Sequence, residues 1–206
     1  MTRILLVRHG HVDGIEPPRF RGRRETPLTG LGQRQAAATA ARIARAWKPA
    51  AVWTSPVQRC VATGRAIAEA TGAAATAIEA LNDLDYGAWT WLTHEAARAA
   101  DPDLYERWRT APASVRFPGG ESLQDLVLRA GDALRLAAAQ DPGEGRALVL
   151  VTHDSVARAM LMQALDQPLS AYRRLVFSPC GVTEIEAADG HAQVLGVNAT
   201  EHLAGL

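Results

Sequence analysis

A chain of 206 residues that is 48% hydrophobic can bury one sizeable core, and its 22 acidic and 22 basic residues cancel. Without net charge there is no global field to draw it onto nucleic acid or an anionic membrane, so an anion site must be a local cluster. Cys60 and Cys180 stand outside any C-x-x-C spacing, which speaks against a disulfide framework or a thiolate metal site, and no apolar stretch is long enough to span a bilayer.

Residues 4–7 form a short continuous apolar run, the pattern of a strand buried on both faces, and the run stops abruptly at Arg8-His9-Gly10. The first seven residues are too few for a signal peptide's apolar region, so a cytoplasmic location is the default. After a loop rich in Pro and Arg, residues 29–47 carry Ala, Ile and Leu at helical spacing, with Thr29 as N-cap and Pro49 as a stop. Residues 51–54 make a second strand, and Ser55-Pro56 opens an Ala-rich helix that Gly72 ends. A third strand is expected around residues 76–80, followed by Leu81-Asn82-Asp83-Leu84-Asp85-Tyr86-Gly87. Residues 88–117, rich in Trp, Ala and Arg, are expected to form a small cap of short helices.

Pro118-Gly119-Gly120 reads as a turn, and Glu121 or Ser122 starts a helix that reaches Gln140 before Asp141-Pro142-Gly143. The clearest strand, residues 147–151, ends in Thr152-His153-Asp154-Ser155 and feeds an amphipathic helix over residues 156–165. Two last strands, 182–187 and 193–197, flank Asp189-Gly190 as a hairpin. Strands alternating with helices predict a single α/β domain, a three-layer αβα sandwich around a mostly parallel sheet. Ligands of such sheets bind beyond the carboxyl ends of the strands, where Arg8-His9, Ser55 and Thr152-His153 fall.

Those strand ends bring together Arg8, His9, Arg59 and His153. Two guanidiniums can clamp phosphate oxygens in bidentate fashion and offset the charge of a transferring phosphoryl group without a metal. For His9 to attack, one ring nitrogen must be unprotonated and the other held by an acceptor, expected to be a backbone carbonyl near Gly10. Repulsion from the arginines is expected to depress the His9 pKa, and His153 is expected to donate to the phosphoryl oxygens.

Leu5-Leu6-Val7-Arg8-His9-Gly10 resembles the R-H-G signature of the histidine phosphatase superfamily. Four further segments agree in order: Pro27-Leu28-Thr29-x-x-Gly32-x-x-Gln35-Ala36, Thr54-Ser55-Pro56-x-x-Arg59, Gly119-Gly120-Glu121-Ser122 and Val151-Thr152-His153. The resemblance is to the phosphoglycerate mutase-like branch, which includes α-ribazole phosphatases and fructose-2,6-bisphosphatases. It implies that fold, a phosphohistidine on His9, and a pocket of Arg8, Arg59 and His153, with neither metal nor cofactor. By the same resemblance Asp83 stands where the family has a glutamate as general acid, one methylene longer. Asp154 is the rival, because the acid phosphatase branch uses a His-Asp pair after the equivalent strand. Arg21 and Gly22 match a substrate-contacting loop.

The expected activity is hydrolysis of a small phosphorylated metabolite, a phosphate monoester, with no nucleic-acid or membrane partner and with homodimerisation left open. The alternatives are mutase-type phosphoryl transfer and a non-catalytic phosphate-binding module, the latter prompted by the aspartate. A metal site is suggested by His9-Gly10-His11-Val12-Asp13, but Gly14 stands where the next ligand should follow and Arg8 would oppose a cation. His11 is expected at the rim, Arg23 and Arg24 in a solvated loop, and Trp89, Trp91 and Trp108 packing the cap.

Overall fold

Alternation along the first strand, β1 (Thr2–Arg8), sets the layering. Ile4 and Leu6 enter one apolar cluster, whereas Leu5 and Val7 enter another on the opposite face. All four are at most 1% exposed, and each contributes about 1.5–3 kcal/mol through burial. The structure is a computed structural model that describes residues 1–188 and 190–206.

The remaining strands are β2 (Lys48–Thr54), β3 (Ala74–Ala77), β4 (Arg146–Thr152), β5 (Val182–Ala188) and β6 (His191–Ala199). They form a six-stranded sheet in the order β3-β2-β4-β1-β5-β6. The first four in that order run parallel, and the β5–β6 hairpin joins β1 antiparallel. The expected terminal hairpin is therefore present, although Asp189 of its turn lies outside the described residues.

Helices α1 (Gly30–Ala46) and α2 (Gln58–Thr71) pack beside each other against the cluster that holds Leu5 and Val7. On the other face, α5 (Leu123–Ala138) and α6 (Asp154–Ala164) cover Ile4 and Leu6. Thr29 caps α1 by accepting from Gly32 N, and Gly72 ends α2 in the left-handed region at φ 71°. Ser122 starts α5 with a capping box closed by Asp125, which decides between the two expected starts.

The cap consists of α3 (His94–Ala100), α4 (Pro102–Thr110) and short 3-10 turns. Phe20 lies 5.0 Å from Trp89, Tyr86 lies 4.8 Å from Phe117, and Trp108 lies 5.2 Å from Phe117, so edge-on aromatic packing ties the cap to the loops that carry Phe20 and Tyr86. Trp89 and Trp108 are thus packing residues, as expected.

Two expectations about local structure need correction. The third strand covers Ala74–Ala77, and residues 79–81 turn into a 3-10 helix; every β3 side chain is exposed, so no burial pattern marked its limits. Pro49 does not merely stop a helix but lies inside β2, where the register slips between Pro49 and Ala51. A residue without an amide hydrogen is tolerated at such an irregularity. Among the described residues, no helix is long and apolar enough to cross a membrane.

Candidate active site

Sheet register gathers the site. Arg8 stands opposite Thr152 and Thr54 opposite Val151, so β1, β2 and β4 end at one level. Beyond the paired residues, His9 N donates to Thr152 O at 2.9 Å and Ser55 N donates to Val151 O at 2.9 Å. The chain can leave β1 steeply because Gly10 has no side chain; a Cβ there would lie 2.6 Å from Gly32 O. Arg59 sits in the first turn of α2, and His153 is the N-cap residue of α6. The His9 and His153 rings approach edge-on with centroids 5.3 Å apart.

These polar side chains are buried to an unusual degree: Arg59 is 0% exposed, His9 and His153 1%, Asp83 7% and Arg8 8%. The hydrogen bonds around them fix the tautomers. His9 Nδ1 is 2.7 Å from Gly10 O, which can only accept, so Nδ1 carries the proton. Its Nε2 accepts from Arg59 Nε at 3.1 Å and is therefore unprotonated, with a lone pair directed into the cluster. Arg59 also donates through NH2 to Asp83 Oδ2 at 3.0 Å and to His153 Nδ1 at 3.0 Å. His153 Nε2 then donates to Ser55 Oγ at 2.8 Å. In this arrangement His153 faces the cluster as an acceptor, so donation to an anion requires it to take up a proton at Nδ1.

The imidazoles are held neutral. Burial is the largest cause of the lowered His9 pKa, followed by the charges of Arg59, His153 and Arg8, while the Gly10 carbonyl acts in the opposite direction. The expected direction is observed, but desolvation outranks the expected arginine repulsion. Burial, then Arg59 and Arg21, likewise lowers His153. Arg8 is brought down to about 10 by burial, against the pull of Asp154. It donates to Phe177 O, and its buried Nε has no hydrogen-bond partner in the protein.

Of the two carboxylates, Asp83 pairs with Arg59 in the cluster, whereas Asp154, whose charge acts on Arg8, pairs with Arg158. Asp83 Oδ2 lies 3.6 Å from His153 Nδ1 besides its pairing with Arg59, whereas Asp154 Oδ2 accepts from Arg158 Nε at 2.9 Å, one turn along α6. The loop carrying Asp83 is tied down from behind. Arg129 donates to Ala80 O at 3.0 Å and to Asp83 O at 2.8 Å, and it is paired with Glu121 at 2.9 Å. Glu121 also pairs with Arg23 at 2.8 Å and accepts from Asp85 N at 3.0 Å. Glu121 is thus neither helix cap nor pocket residue, and Arg23, exposed as expected of a solvated loop, joins the brace through Glu121.

Arg21 and Gly22 border the same cluster. Gly22 O accepts from Arg59 NH2 at 2.6 Å, and Gly22 has φ 52°; a Cβ would meet Leu84 O and a Tyr86 ring carbon at 3.1 Å each. Arg21 donates to Gly14 O at 2.6 Å, its Nε is buried without a partner, and burial is the main cause of its lowered pKa. At the rim, His11 turns to Thr29 Oγ1 at 2.9 Å instead of joining His9. Trp91 differs from the other tryptophans of the cap: it is only half buried, at φ 72°, with the Arg24 guanidinium 4.4 Å from its ring centroid.

Sequence reasoning placed Ser55 at the strand ends without giving it a role, and it did not single out Arg129 or Ser155. Ser55 sits in a recognised motif, so its proximity to His153 was within reach, but nothing in a helical pattern marks Arg129. Both cysteines are buried, and burial drives the Cys60 thiol up and the Cys180 thiol to about 12.

Comparison with known proteins adds to this geometry. Residues 4–200 match the model of the histidine phosphatase superfamily (branch 1). The bifunctional protein Rv2228c of Mycobacterium tuberculosis is 34% identical over 98% of this chain, and the match covers 55% of that protein, so the chain spans about half the length of this relative. Phosphoserine phosphatase 1 of Hydrogenobacter thermophilus is 26% identical, with 98% of this chain and 95% of the relative covered. Among solved structures, Bacillus stearothermophilus YhfR superposes with a TM-score of 0.90 at 26% identity, covering 98% of this chain and all of that one.

Proposed function

The chain belongs to the histidine phosphatase superfamily, and from that premise we propose that it hydrolyses a small phosphate monoester through a phosphohistidine on His9. The supporting observation is the His9 tautomer: Nδ1–H is anchored on Gly10 O, and the Nε2 lone pair is directed at Arg59. Such an imidazole is a neutral nucleophile whose positive charge, once it is phosphorylated, is shared with a carbonyl already in place.

In the first step Nε2 attacks phosphorus, the bond to the ester oxygen breaks, and Asp83 Oδ2, which takes up a proton as the phosphate anion binds against Arg59, gives that proton to the departing alcohol. In the second, water attacks phosphohistidine and gives a proton back to Asp83; inorganic phosphate leaves and His9 is restored. Arg8 and Arg59 offset the charge on the phosphoryl oxygens, and His153 joins them as a protonated donor once the dianion is present. Arg21 and the Gly22 backbone bound the substrate side of the pocket. The reach of Asp83 Oδ2 into the cluster, 3.0 Å from Arg59, supports a catalytic role for the shorter acid over a passive binding module. The phosphoserine phosphatase among the relatives supports a small phosphorylated metabolite as substrate.

Phosphate release from a panel that includes phosphoserine, measured with a chelator present, tests this function. Turnover is expected to persist, while transfer between hydroxyls of phosphoglycerate without phosphate release would make it a mutase. Asp83→Asn is expected to slow esters of poor leaving groups far more than activated aryl esters, and Asp154→Asn to show no such grading. The opposite pattern would reassign the acid.

A further inference from the structure

The acid of this site is short, and its carboxylate is gripped from one side by a hydroxyl that no motif identifies. Ser155 is 3% exposed and lies in the first turn of α6, two residues after His153. Its Oγ donates to Asp83 Oδ1, which also accepts from Leu84 N at 2.9 Å. The other oxygen, Oδ2, is the one that faces Arg59 and His153. We propose that Ser155 is a positioning residue that fixes which oxygen of Asp83 carries the catalytic proton, a proposal resting on Asp83 being the general acid.

The physical reason is the difference between the two oxygens. A carboxylic acid can hold its proton on either oxygen, and rotation about one bond exchanges them. Two donors on Oδ1 can be accepted only by an unprotonated oxygen, so the proton is confined to Oδ2, beside the pocket. The grip serves both halves of the reaction, because Oδ1 accepts the same two bonds whether Oδ2 is protonated or not. An aspartate has fewer rotatable bonds than a glutamate but less reach, so a wrong orientation cannot be corrected by the chain. Since Ser155 and His153 begin the same helix, acid and imidazole keep a constant relation to each other. A buried hydroxyl needs an acceptor in any case; here that acceptor is the reacting group itself.

Ser155→Ala, Asp83→Asn and the double variant should be assayed on an alkyl phosphate and on p-nitrophenyl phosphate, with inhibition by inorganic phosphate reporting the integrity of the pocket. For Ser155→Ala, kcat/KM on the alkyl ester, which reports the steps up to departure of the alcohol, is expected to fall about 10-fold to 100-fold, the scale of one hydrogen bond to a charged group. Phosphate inhibition should stay unchanged, and kcat/KM for p-nitrophenyl phosphate, whose leaving group needs little protonation, should fall less than about threefold. In the Asp83→Asn background, Ser155→Ala should cost nothing further. Where Ser155→Ala melts below assay temperature, Ser155→Cys, with a weak donor of similar bulk, is expected to show the same grading.

Equal losses on both esters, no loss, or additive losses in the double variant would overturn the positioning role. Should Asp83→Asn itself show no leaving-group dependence, the acid assignment falls and the Ser155 proposal with it. Graded losses in Asp83→Asn but not in Ser155→Ala overturn the latter alone.

Discussion

Replacing Arg59 by methionine keeps most of the side-chain bulk and removes the group on which the whole cluster is hung. The guanidinium meets five acceptors: His9 Nε2, Asp83 Oδ2, His153 Nδ1, Gly22 O and Arg24 O. Three of these share the two hydrogens of NH2, so the bonds are not independent and their energies do not add. The loss that dominates is the buried ion pair with Asp83, in which Arg59 is 0% and Asp83 10% exposed at the side chain. Removing one member of such a pair costs about 3–5 kcal/mol, because the other remains buried and unpaired. Activity should suffer more: two donors to the transferring phosphoryl group, each contributing about 10²–10³ in rate, imply a fall in kcat/KM of at least about 10⁴-fold. Arg59→Lys restores the charge without the fork and should recover only a small part. Chemical denaturation measures the first quantity and phosphate release the second, at a temperature where the variant is folded. A methionine variant within about tenfold of the parent would refute the role given to Arg59.

Three further outcomes are expected. Because His9 and His153 are neutral in the fold while unfolded imidazoles titrate near 6.5, the unfolded chain binds more protons below that pH. Their contribution to stability is therefore complete above about pH 6.5 and declines on acidification by about 1.4 kcal/mol per unit for each histidine, down to its folded value. Melting temperatures over this range should fall less steeply for His153→Gln than for the parent. Arg129→Met should destabilise by about 2–4 kcal/mol, since it strips the donor from buried carbonyls and leaves Glu121 short of a partner; it should also lower kcat on alkyl esters, and unchanged values of both would mean the brace is idle. Gly22→Ala should cost about 1–3 kcal/mol in urea titrations, from positive φ and the crowding against Leu84 O and Tyr86.

What the sequence disclosed follows from where its information is local. The apolar runs at residues 4–7 and 147–151 stop at Arg8-His9 and Thr152-His153, so strand ends and site residues could be read together, and the pairing of Arg8 with Thr152 puts those stops at one level. Thr29, Gly72 and Ser122 announced helix ends through cap chemistry. β3 was placed too late because Ala74–Ala77 is exposed along its length and carries no alternation. Glu121 precedes α5 and Arg129 lies eight residues further on inside it, and only the fold of the 80–85 loop turns them into a brace for Asp83. Spacing leaves Asp83 and Asp154 as equals, because the pairings that distinguish them, Asp83 with Arg59 and Asp154 with Arg158 one turn further along α6, are made only in the fold.

The central claim is a covalent one, and it is most directly tested by rapid quenching of the enzyme during turnover of a phosphate ester, under alkaline conditions that preserve phosphoramidates, followed by peptide mass spectrometry. A phosphoryl group on the imidazole of His9 is expected, absent in His9→Ala and accumulating when Asp83→Asn slows the second step. Full turnover by His9→Ala, or phosphate carried on a different residue, would contradict the account.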